Sequence, residues 1–260
     1  MLRSRIIPCL LVHDKGLVKT LRFSVENGKY VGDPINAVKI FNEKSVDEIM
    51  VIDIDATVQE REPDYEMIKN VATECRMPLC YGGGVTTVEQ VRKIIKLGAE
   101  KVAISAAAIK NPNLLCQISE SVGAQSVVLV LDIMKRKTLF GDGHYEIFTH
   151  NGKLKSGKKL YDFLEEIKDI TYGELVINNI DLDGIMTGYD LDMCEKVREL
   201  TEVPLTFLGG AGSYNDLKVL VERFGIIGAA AGSIFVFKGK YKAVLIQYPM
   251  PEEKKKIQPI

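Results

Sequence analysis

Short apolar runs alternate with amphipathic segments along most of this chain. The runs are rich in β-branched residues and apolar at nearly every position, which is typical of strands buried on both faces of a parallel sheet. The segments between them carry apolar residues at helical spacing, as at Leu217, Leu220 and Phe224. The pattern predicts eight strands, over residues 5–12, 48–54, 79–81, 101–104, 126–131, 174–177, 205–208 and 226–231. It predicts helices over residues 35–44, 65–74, 88–97, 111–122, 160–167 and 191–200, with one more between the last two strands.

Alternating strands and helices predict an α/β fold built on a parallel sheet. Polar groups follow strands in both halves of the chain, and only a closed ring would bring them to one mouth. The 260 residues also match the usual length of such a barrel, about 250 residues. No GxGxxG follows the first strand, which disfavours a dinucleotide-binding sheet. We therefore predict a (βα)8 TIM barrel as one domain over residues 1–248, followed by a loose polar tail over 249–260.

An internal repeat relates the two halves of the chain. The segment PLCYGGGVTTVEQVRKIIKLGAEKVAISAAAI, from Pro78, aligns with PLTFLGGAGSYNDLKVLVERFGIIGAAAGSIF, from Pro204. The alignment pairs Gly83 with Gly209, Gly84 with Gly210, and residues 53–55 with residues 181–183. Such self-similarity predicts a barrel made of two duplicated half-barrels.

Glycine and hydroxyl residues end predicted strands in both halves. Free backbone N–H groups at such turns can hold a phosphate, although glycines there would also serve tight turns alone. The predicted substrate-binding or phosphate-binding residues are Lys19, Gly83, Gly84, Ser105, Asp183, Gly184, Gly209, Gly210, Gly232 and Ser233. For Lys19, in the first predicted loop, the alternative is an ordinary solvated lysine. Two cradles across one mouth would suit a ligand with a phosphate at each end.

Asp132 is the best candidate for proton transfer because it follows the fifth predicted strand. A carboxylate at the tip of a buried strand lies where desolvation and nearby charge can tune its pKa. A carboxylate that only caps the next turn is the alternative. Asp183 and its repeat counterpart Asp55 are the next candidates, and His13 is a candidate to face the mouth.

Composition excludes several classes of function. A net charge of −1 leaves no electrostatic footprint for nucleic acid or an anionic membrane. No apolar run approaches the roughly 20 residues that span a bilayer, and the first residues do not read as a signal peptide. Five scattered cysteines are typical of reduced thiols in a cytoplasmic protein and predict no metal site. We predict no cofactor and a phosphorylated small molecule as the ligand. Residues 141–152 alternate like a hairpin, and its histidines, His144 and His150, are expected at the surface.

The motifs RIIPCLLVHDKGLVKT, CYGGGV, IDLDG and LGGAGS occur in this order. With them, the chain resembles the cyclase subunit of imidazole glycerol phosphate synthase, HisF, over about Leu2 to Phe237. That family is a duplicated barrel of histidine biosynthesis. The resemblance implies that ammonia enters from a glutaminase docked at the barrel bottom and is used at the top to cyclise a bisphosphorylated ribonucleotide. It also implies that Asp132 is catalytic, and it supports the binding roles of Lys19 and Asp183.

The mouth departs from the family at two places. A second catalytic aspartate ends the first strand in the family, whereas this chain has Leu11, whose apolar side chain cannot move protons. An Asn-Thr pair after the fourth strand is replaced by Ser105-Ala106. The bottom of the barrel keeps the charged ring that gates ammonia in the family, matched by Arg5, Glu48, Lys101 and Glu174. Ordinary ion pairs that stabilise the fold would be the alternative explanation of that ring.

In keeping the charged ring while its mouth differs, the chain resembles the HisF-like paralogues of the HisF2 or WbuZ type. These proteins belong to sugar-amidation pathways of surface polysaccharides. The resemblance implies a HisH-like glutaminase partner, an ATP-dependent amidotransferase further on, and ammonia delivery for making acetamidino sugars. The chain would then be an enzyme subunit of a glutamine amidotransferase, related to a lyase or cyclase. The alternative is the histidine-pathway cyclase itself. The sister isomerase of that pathway is disfavoured by the ring matches, and a non-catalytic conduit stays open.

Overall fold

The computed structural model describes residues 3–137 and 143–258. Eight parallel strands form a closed barrel, as predicted. They are β1 Arg5–His13, β2 Ile49–Asp53, β3 Leu79–Gly82, β4 Lys101–Ile104, β5 Val127–Arg136, β6 Glu174–Asn179, β7 Leu205–Leu208 and β8 Gly228–Ala231. Each strand pairs in parallel with the next one in this series. The ring closes where β8 pairs with β1, with Arg5 opposite Gly228.

Helices cover the outside of the barrel. They are α1 Pro34–Glu43, α2 Tyr65–Glu74, α3 Val88–Lys96, α4 Asn113–Val122, α5 Leu160–Glu166, α6 Leu191–Leu200, α7 Tyr214–Phe224 and α8 Pro251–Ile257. Local capping explains where several of them begin. Before α7, for example, Ser213 and Asp216 accept hydrogen bonds from each other's backbone N–H groups, which satisfies two donors at the helix start. Short helices, Ala106–Lys110 and Ser233–Val236, follow β4 and β8.

The C-terminal segment is not the loose tail that its polar sequence predicts. Helix α8 packs against α7, and its residue Ile257 is buried. Lys254 pairs with Asp47 at 2.7 Å, and the Gln258 amide donates to the Ser4 carbonyl at 2.9 Å. The tail therefore supplies the eighth helix of the barrel.

Antiparallel strands extend two barrel strands above the mouth. The segment after β1, which the sequence suggests is a long loop, forms a hairpin of strands Gly16–Leu21 and Ser24–Gly32 that pairs with β1. Strand β5 runs on to pair with His144–Thr149, which pairs in turn with Leu154–Lys159. This confirms strand structure within the hairpin predicted over 141–152, of which residues 141 and 142 lie outside the described residues. Both additions leave the carboxyl ends of barrel strands and so border the mouth.

The barrel interior is a small apolar cluster, separate from the larger core between strands and helices. Its buried members are Ile7, Cys9, Met50, Cys80, Ala103, Val128, Val176 and Ala230. Side chains alternate between the two faces of a strand, so Ile7, Cys9 and Leu11 of β1 all point inward. Partly buried Leu11, Ile52, Val130 and Leu208 pack on this cluster. Among the described helices, none combines the length and apolar character needed to cross a bilayer.

Candidate functional site

Charged side chains meet at the bottom of the barrel, where strands β1, β2, β4 and β6 begin. The Lys101 ammonium donates to Glu48 at 2.9 Å and to Glu174 at 2.8 Å. The Arg5 guanidinium donates to Glu174 at 2.8 Å and also contacts Glu48. Both carboxylates are buried, with 2% and 4% of Glu48 and Glu174 exposed. The four predicted ring residues therefore form one closed network of alternating charge.

Each charge in the ring has two opposite partners. Burial works to raise the pKa of Glu174, but Arg5 and Lys101 outweigh it and hold that pKa below its ordinary value. Burial likewise works against the charged form of Lys101, but the two carboxylates raise its pKa. Taking these charges out of water is costly, and the network offsets that cost only while every partner is present.

Thr206 is a fifth member of the ring that sequence analysis missed. Its hydroxyl donates to Glu174 and accepts from Arg5 at 3.4 Å. Its side chain is fully buried and presses on Gly228, where an added Cβ would lie 1.7 Å from the threonine oxygen. The signal in the sequence was a lone hydroxyl inside the apolar run of β7, with a glycine at its neighbour on β8.

The packed apolar cluster of the barrel interior separates this ring from the mouth. Within the described ranges, the inward-facing cluster contains aliphatic side chains, a methionine and two thiols. Burial raises the pKa of Cys9 to about 12 and that of Cys80 well above its ordinary value, so both thiols are neutral at physiological pH. Among the described residues, this cluster therefore places no charged group between the ring and the mouth.

The mouth holds two adjoining cavities that contain every binding residue predicted from the sequence. A narrow one of about 30 Å³ lies on the C-terminal half and is lined by Lys19, Asp183, Gly184, Gly209, Gly210, Gly232 and Ser233 among others. A wide one of about 1130 Å³ lies on the N-terminal half and is lined by Gly83, Gly84, Ser105 and Asp132 among others. Leu11, Asn178 and Leu208 line both cavities and mark the border between them.

In the narrow cavity, a buried ion pair lies beside a glycine turn. Lys19 contacts Asp183, which also accepts from the Thr20 hydroxyl at 2.6 Å. Gly232 leaves room for the lysine, because a Cβ there would lie 3.0 Å from Lys19 Cε. Gly210 has a φ of +111°, and a Cβ on it would lie 2.1 Å from the Gly188 carbonyl oxygen. The turn therefore requires glycine for its backbone conformation.

The corresponding glycine turn in the wide cavity, at Gly83 and Gly84, makes its own set of contacts. A Cβ on Gly83 would lie 2.4 Å from the Asp53 carbonyl oxygen, so packing alone requires that glycine. The Gly84 N–H donates to the Thr57 hydroxyl at 3.4 Å. Ser105 Oγ is buried and has no hydrogen-bond partner among the described residues. Among the described residues, this side of the mouth therefore contains a buried hydroxyl group without a hydrogen-bond partner.

Asp132 projects into the wide cavity from β5 and faces Asn178 of β6 in register. Burial raises the pKa of Asp132 from 3.8 to about 7; a hydrogen bond from the Asn178 amide, at 2.9 Å, opposes this rise, and the charge of Asp183 adds to it. A carboxyl group with such a pKa can give or take a proton near neutral pH. Sequence analysis missed Asn178, although it stands in the polar run NNIDLDG that ends β6.

The three histidines differ in their relation to the mouth. His13 Nδ1 lies 2.6 Å from Asp55 Oδ1, and neither residue belongs to the described lining of the narrow or the wide cavity. These side chains, with Asp14, place ligand-type atoms within 4.8 Å of one another, but the His13–Asp55 hydrogen bond accounts for their proximity. His150, expected at the surface, lines the wide cavity, whereas His144 does not.

Comparisons with known proteins agree with this geometry. The family described as "Histidine biosynthesis protein" matches residues 5–242. A protein of Vibrio vulnificus, strain YJ016, named imidazole glycerol phosphate synthase subunit hisF3, is 56% identical over 98% of this chain and 96% of its own length. One of Pseudomonas aeruginosa, named subunit hisF2 of the same synthase, is 47% identical over 96% and 97%. Both names are provisional designations.

A third relative carries the name without that qualification. Imidazole glycerol phosphate synthase subunit HisF of Streptococcus sanguinis, strain SK36, is 39% identical over 90% of this chain and 91% of its own length. The family match covers nearly the whole barrel, and these relatives align over nearly their whole lengths. The chain therefore belongs to the histidine biosynthesis protein family and, within it, to the HisF-like subunits of imidazole glycerol phosphate synthase.

Proposed function

We propose that this chain is the barrel subunit of a glutamine amidotransferase that conducts ammonia from a docked glutaminase to its mouth, for the amidation of a sugar in surface-glycan biosynthesis. One observation carries the proposal: a complete charged ring at the barrel bottom coexists with Leu11, rather than a carboxylate, at the mouth. In this proposal the ring and the apolar interior serve nitrogen supply, and Leu11 at the mouth alters the chemistry that receives the ammonia.

The route through the barrel supports ammonia conduction. Arg5, Glu48, Lys101 and Glu174 close the entrance through mutual contacts, so movement of one long side chain would open it. Lys101 is the suitable side chain to move, because among the described residues its ammonium donates only to Glu48 and Glu174. Beyond the ring, the apolar interior of the barrel favours neutral ammonia over ammonium, since a charge is costly to desolvate.

The mouth supports a reaction other than ring closure of a ribonucleotide. Leu11 and Asp132 line the same cavity, so the position of a second acid–base group is occupied by an aliphatic side chain. Loss of one such group typically costs about 10²–10⁴-fold in rate. The partner we propose is a HisH-like glutaminase at the bottom face, with an ATP-dependent amidotransferase that consumes the ammonia. Relatives named hisF2 and hisF3 are consistent with a paralogue of the WbuZ type.

A reconstitution tests this proposal. The purified chain is combined with a HisH-like glutaminase, glutamine and the bisphosphorylated ribonucleotide of histidine biosynthesis. We expect glutamine hydrolysis to be supported and imidazole glycerol phosphate to be absent. Formation of that product at the rate of a histidine-pathway cyclase would reject the proposal.

Two variants sharpen the test. Leu11→Asp restores a carboxylate at the position where the family carries one, and we expect it to gain cyclase activity. Leu208→Asp is the matched control, because it puts a carboxylate in the same cavity from β7 and should gain none. In cells, deletion of the gene should remove acetamidino groups from the surface glycan and leave growth without histidine intact.

The histidine-pathway cyclase remains the second candidate, favoured by the pKa of Asp132 near neutrality and by relatives named as synthase subunits. In that case another group in the cavity, such as His150 or a water molecule, would replace the missing carboxylate. Complementation of a histidine auxotroph distinguishes the two candidates: growth at the normal rate supports the cyclase, and no growth supports the proposal above.

A further inference from the structure

Three antiparallel additions follow β1, β5 and β8 at the mouth of the barrel. Two of them are the paired strands described above, and the third is a small sheet of Phe237–Lys238 and Ala243–Val244. We call the exposed face of these additions the rim surface. Within the described ranges, it belongs to residues 16–32, 135–137, 143–159 and 237–245.

Side-chain contacts join the three additions into one band. The Lys29 ammonium donates to the Lys242 carbonyl at 2.8 Å and lies 5.4 Å from the centre of the Phe237 ring, which links the first hairpin to the small sheet. At the turn of the same hairpin, the Phe23 ring would lie 3.6 Å from a Cβ added at Gly152, which links it to the strands after β5. Phe23 also lines both cavities. The rim surface is therefore continuous and borders the mouth.

The rim surface is strongly basic, although the chain as a whole is nearly neutral. Its segments contain thirteen Lys and Arg and two Asp and Glu, whereas the rest of the chain contains 21 Lys and Arg and 33 Asp and Glu. One of the thirteen, Lys19, is buried in its pair with Asp183. Among the described residues, the exposed cations of this surface that form no ion pair include Arg22, Lys29, Lys153, Lys238, Lys240 and Lys242.

Exposed apolar side chains are concentrated on the same surface. Tyr241 is 89% exposed and Tyr30 is 63% exposed. Clusters of exposed apolar groups mark interaction sites, and tyrosine is enriched in protein interfaces. Of the ten large apolar side chains that are exposed among the described residues, six lie on the rim surface, namely Leu21, Tyr30, Leu154, Tyr241, Val244 and Leu245. The rim surface therefore combines positive charge with apolar anchors.

Charge and position together indicate what this surface binds. An excess of cations is complementary to an acidic surface. Aliphatic side chains such as Leu154 and Leu245 fit protein side chains, whereas nucleic acid is bound chiefly through phosphate contacts and base stacking. Ammonia that left the mouth into neutral water would take up a proton, as amines do, and would no longer be a nucleophile. A protein that receives ammonia must therefore cover the mouth, which the rim surface borders.

We propose that the rim surface docks the enzyme that consumes the ammonia, through an acidic and partly apolar face of that enzyme. The mouth then opens directly into the partner, and nitrogen is transferred without release into water. The inference rests on the proposed function for the identity of the partner. Because the glutaminase of that proposal docks at the other end of the barrel, both partners can bind at the same time.

Biolayer interferometry of the full chain with the ATP-dependent amidotransferase of the same pathway tests docking, with and without the HisH-like glutaminase. A rim variant combines Lys238→Glu, Lys240→Glu and Lys242→Glu. The matched control makes the same change in net charge on α2, α6 and α8, at the exposed residues Lys69, Lys196 and Lys255. We expect the rim variant to bind at least tenfold more weakly at about 0.1 M salt, and the control to stay within twofold. The loss should shrink at about 1 M salt, because exposed charges are then screened.

Tyr241→Ser tests the apolar contribution and should weaken binding about tenfold at both salt concentrations, because anchor tyrosines carry much of the binding energy of an interface. Two results would overturn the inference: no binding of the amidotransferase to the unmodified chain, with or without glutaminase, or equal losses in the rim variant and its control. Vesicles of phosphatidylserine and phosphatidylcholine are the competing probe. If they bind through the same lysines and the amidotransferase does not bind, the rim surface is a membrane contact and the inference is wrong.

Nitrogen transfer separates this inference from the proposed function. The rim variant should still support glutamine hydrolysis, because the glutaminase docks at the opposite end. Docking through the rim surface without transfer of glutamine nitrogen would reject ammonia conduction and keep the docking role. Transfer of glutamine nitrogen that the rim variant leaves unchanged would keep conduction and reject the docking role. Thermal unfolding of each variant, measured alongside, shows whether a loss of affinity reflects a loss of folded protein.

Discussion

Asp132 shows how burial changes the chemistry of a single side chain. Its carboxyl group is desolvated at the tip of β5, and its pKa rises from 3.8 to about 7. Between these pH values the folded chain keeps a proton that the unfolded chain has released. Folding stability contributed by this group is therefore lost as the pH rises from about 4 to 7. The fold retains an unfavourable group at the mouth, as sites of proton transfer commonly do.

Asp132→Asn should remove this penalty. The variant keeps the shape of the side chain and an oxygen that can accept from Asn178. At pH 8 we expect a higher free energy of unfolding than in the wild type, by on the order of a few kcal/mol. At pH 4, where Asp132 is protonated in the folded state, the gain should be nearly absent. Urea unfolding at both pH values measures it, and an equal gain or loss at the two values would contradict the argument.

Asn178 sets the extent of that shift. Its amide donates to Asp132 Oδ1 at 2.9 Å, which favours the ionised carboxyl and opposes the effect of burial. Asn178→Leu should therefore raise the pKa of Asp132 further above neutrality, as observed by carbon-13 NMR titration of the carboxyl group. Asn179→Leu, at the next position on β6, serves as the control. The same shift in both variants would show a general loss of packing instead.

Residues of the site differ in how far the sequence could predict them. Asp132 was found because it ends an apolar strand, and the ring residues through a resemblance that ties each to a strand start. Thr206 and Asn178 were missed because their partners, Glu174 and Asp132, lie on neighbouring strands and far away in sequence. Their roles depend on the register between neighbouring strands. The sequence does not specify that register when a strand is buried on both faces, because its apolar run is nearly continuous and shows no alternation.

At the scale of elements, the barrel strands were predictable because both faces of each are buried and the apolar run is continuous. The hairpin of Gly16–Leu21 and Ser24–Gly32 was missed because exposed polar residues dominate its second strand. Helix α8 was missed for a similar reason, since it buries little more than Ile257. Elements that pack on the barrel through one narrow face bury few apolar residues, so their hydrophobic pattern in the sequence is weak.

The contribution of α8 can be measured. Ile257 is 3% exposed and belongs to the main core cluster, so Ile257→Ala should lower the free energy of unfolding by about 2–4 kcal/mol. Lys255→Ala on the exposed face of the same helix should change it by less than about 0.5 kcal/mol. Urea denaturation of both variants decides the matter. A negligible effect of Ile257→Ala would instead support the loose tail that the sequence predicts.

The charged ring joins four strands and should behave as one unit. Glu174→Gln leaves Arg5 and Lys101 to share a single carboxylate, so we expect a loss of about 3 kcal/mol in the free energy of unfolding, the lower part of the range for breaking a buried ion pair. Thr206→Val removes one hydrogen bond to that carboxylate and should cost about 1–2 kcal/mol. Similar losses for the two variants would show that the hydroxyl matters as much as the charge. Chemical denaturation at low and high salt provides the comparison.

At the scale of the whole molecule, the barrel places its two functional regions at opposite ends of one apolar interior. The ring lies where strands begin, and the cavities lie where strands end, so any nitrogen that passes between them travels along the inward-facing residues. Strand alternation makes this separation testable, because neighbouring residues of β8 face different compartments. Ala230 belongs to the interior cluster, and Ala229 belongs to the outer core.

Enlarging the side chain at these two positions tests conduction through the barrel. If the proposed function holds, Ala230→Leu should obstruct the route through the interior cluster and abolish glutamine-dependent amidation. Amidation supplied with ammonium chloride at high pH should persist, because free ammonia can reach the mouth from outside. Ala229→Leu overpacks the same strand on its other face and should cost a similar stability, about 1–3 kcal/mol, while both nitrogen sources remain usable. The measurement is the ratio of glutamine-dependent to ammonia-dependent product in the reconstituted system. Equal ratios in the two variants would mean that ammonia reaches the mouth by another route, since the obstruction at Ala230 would then have no specific effect.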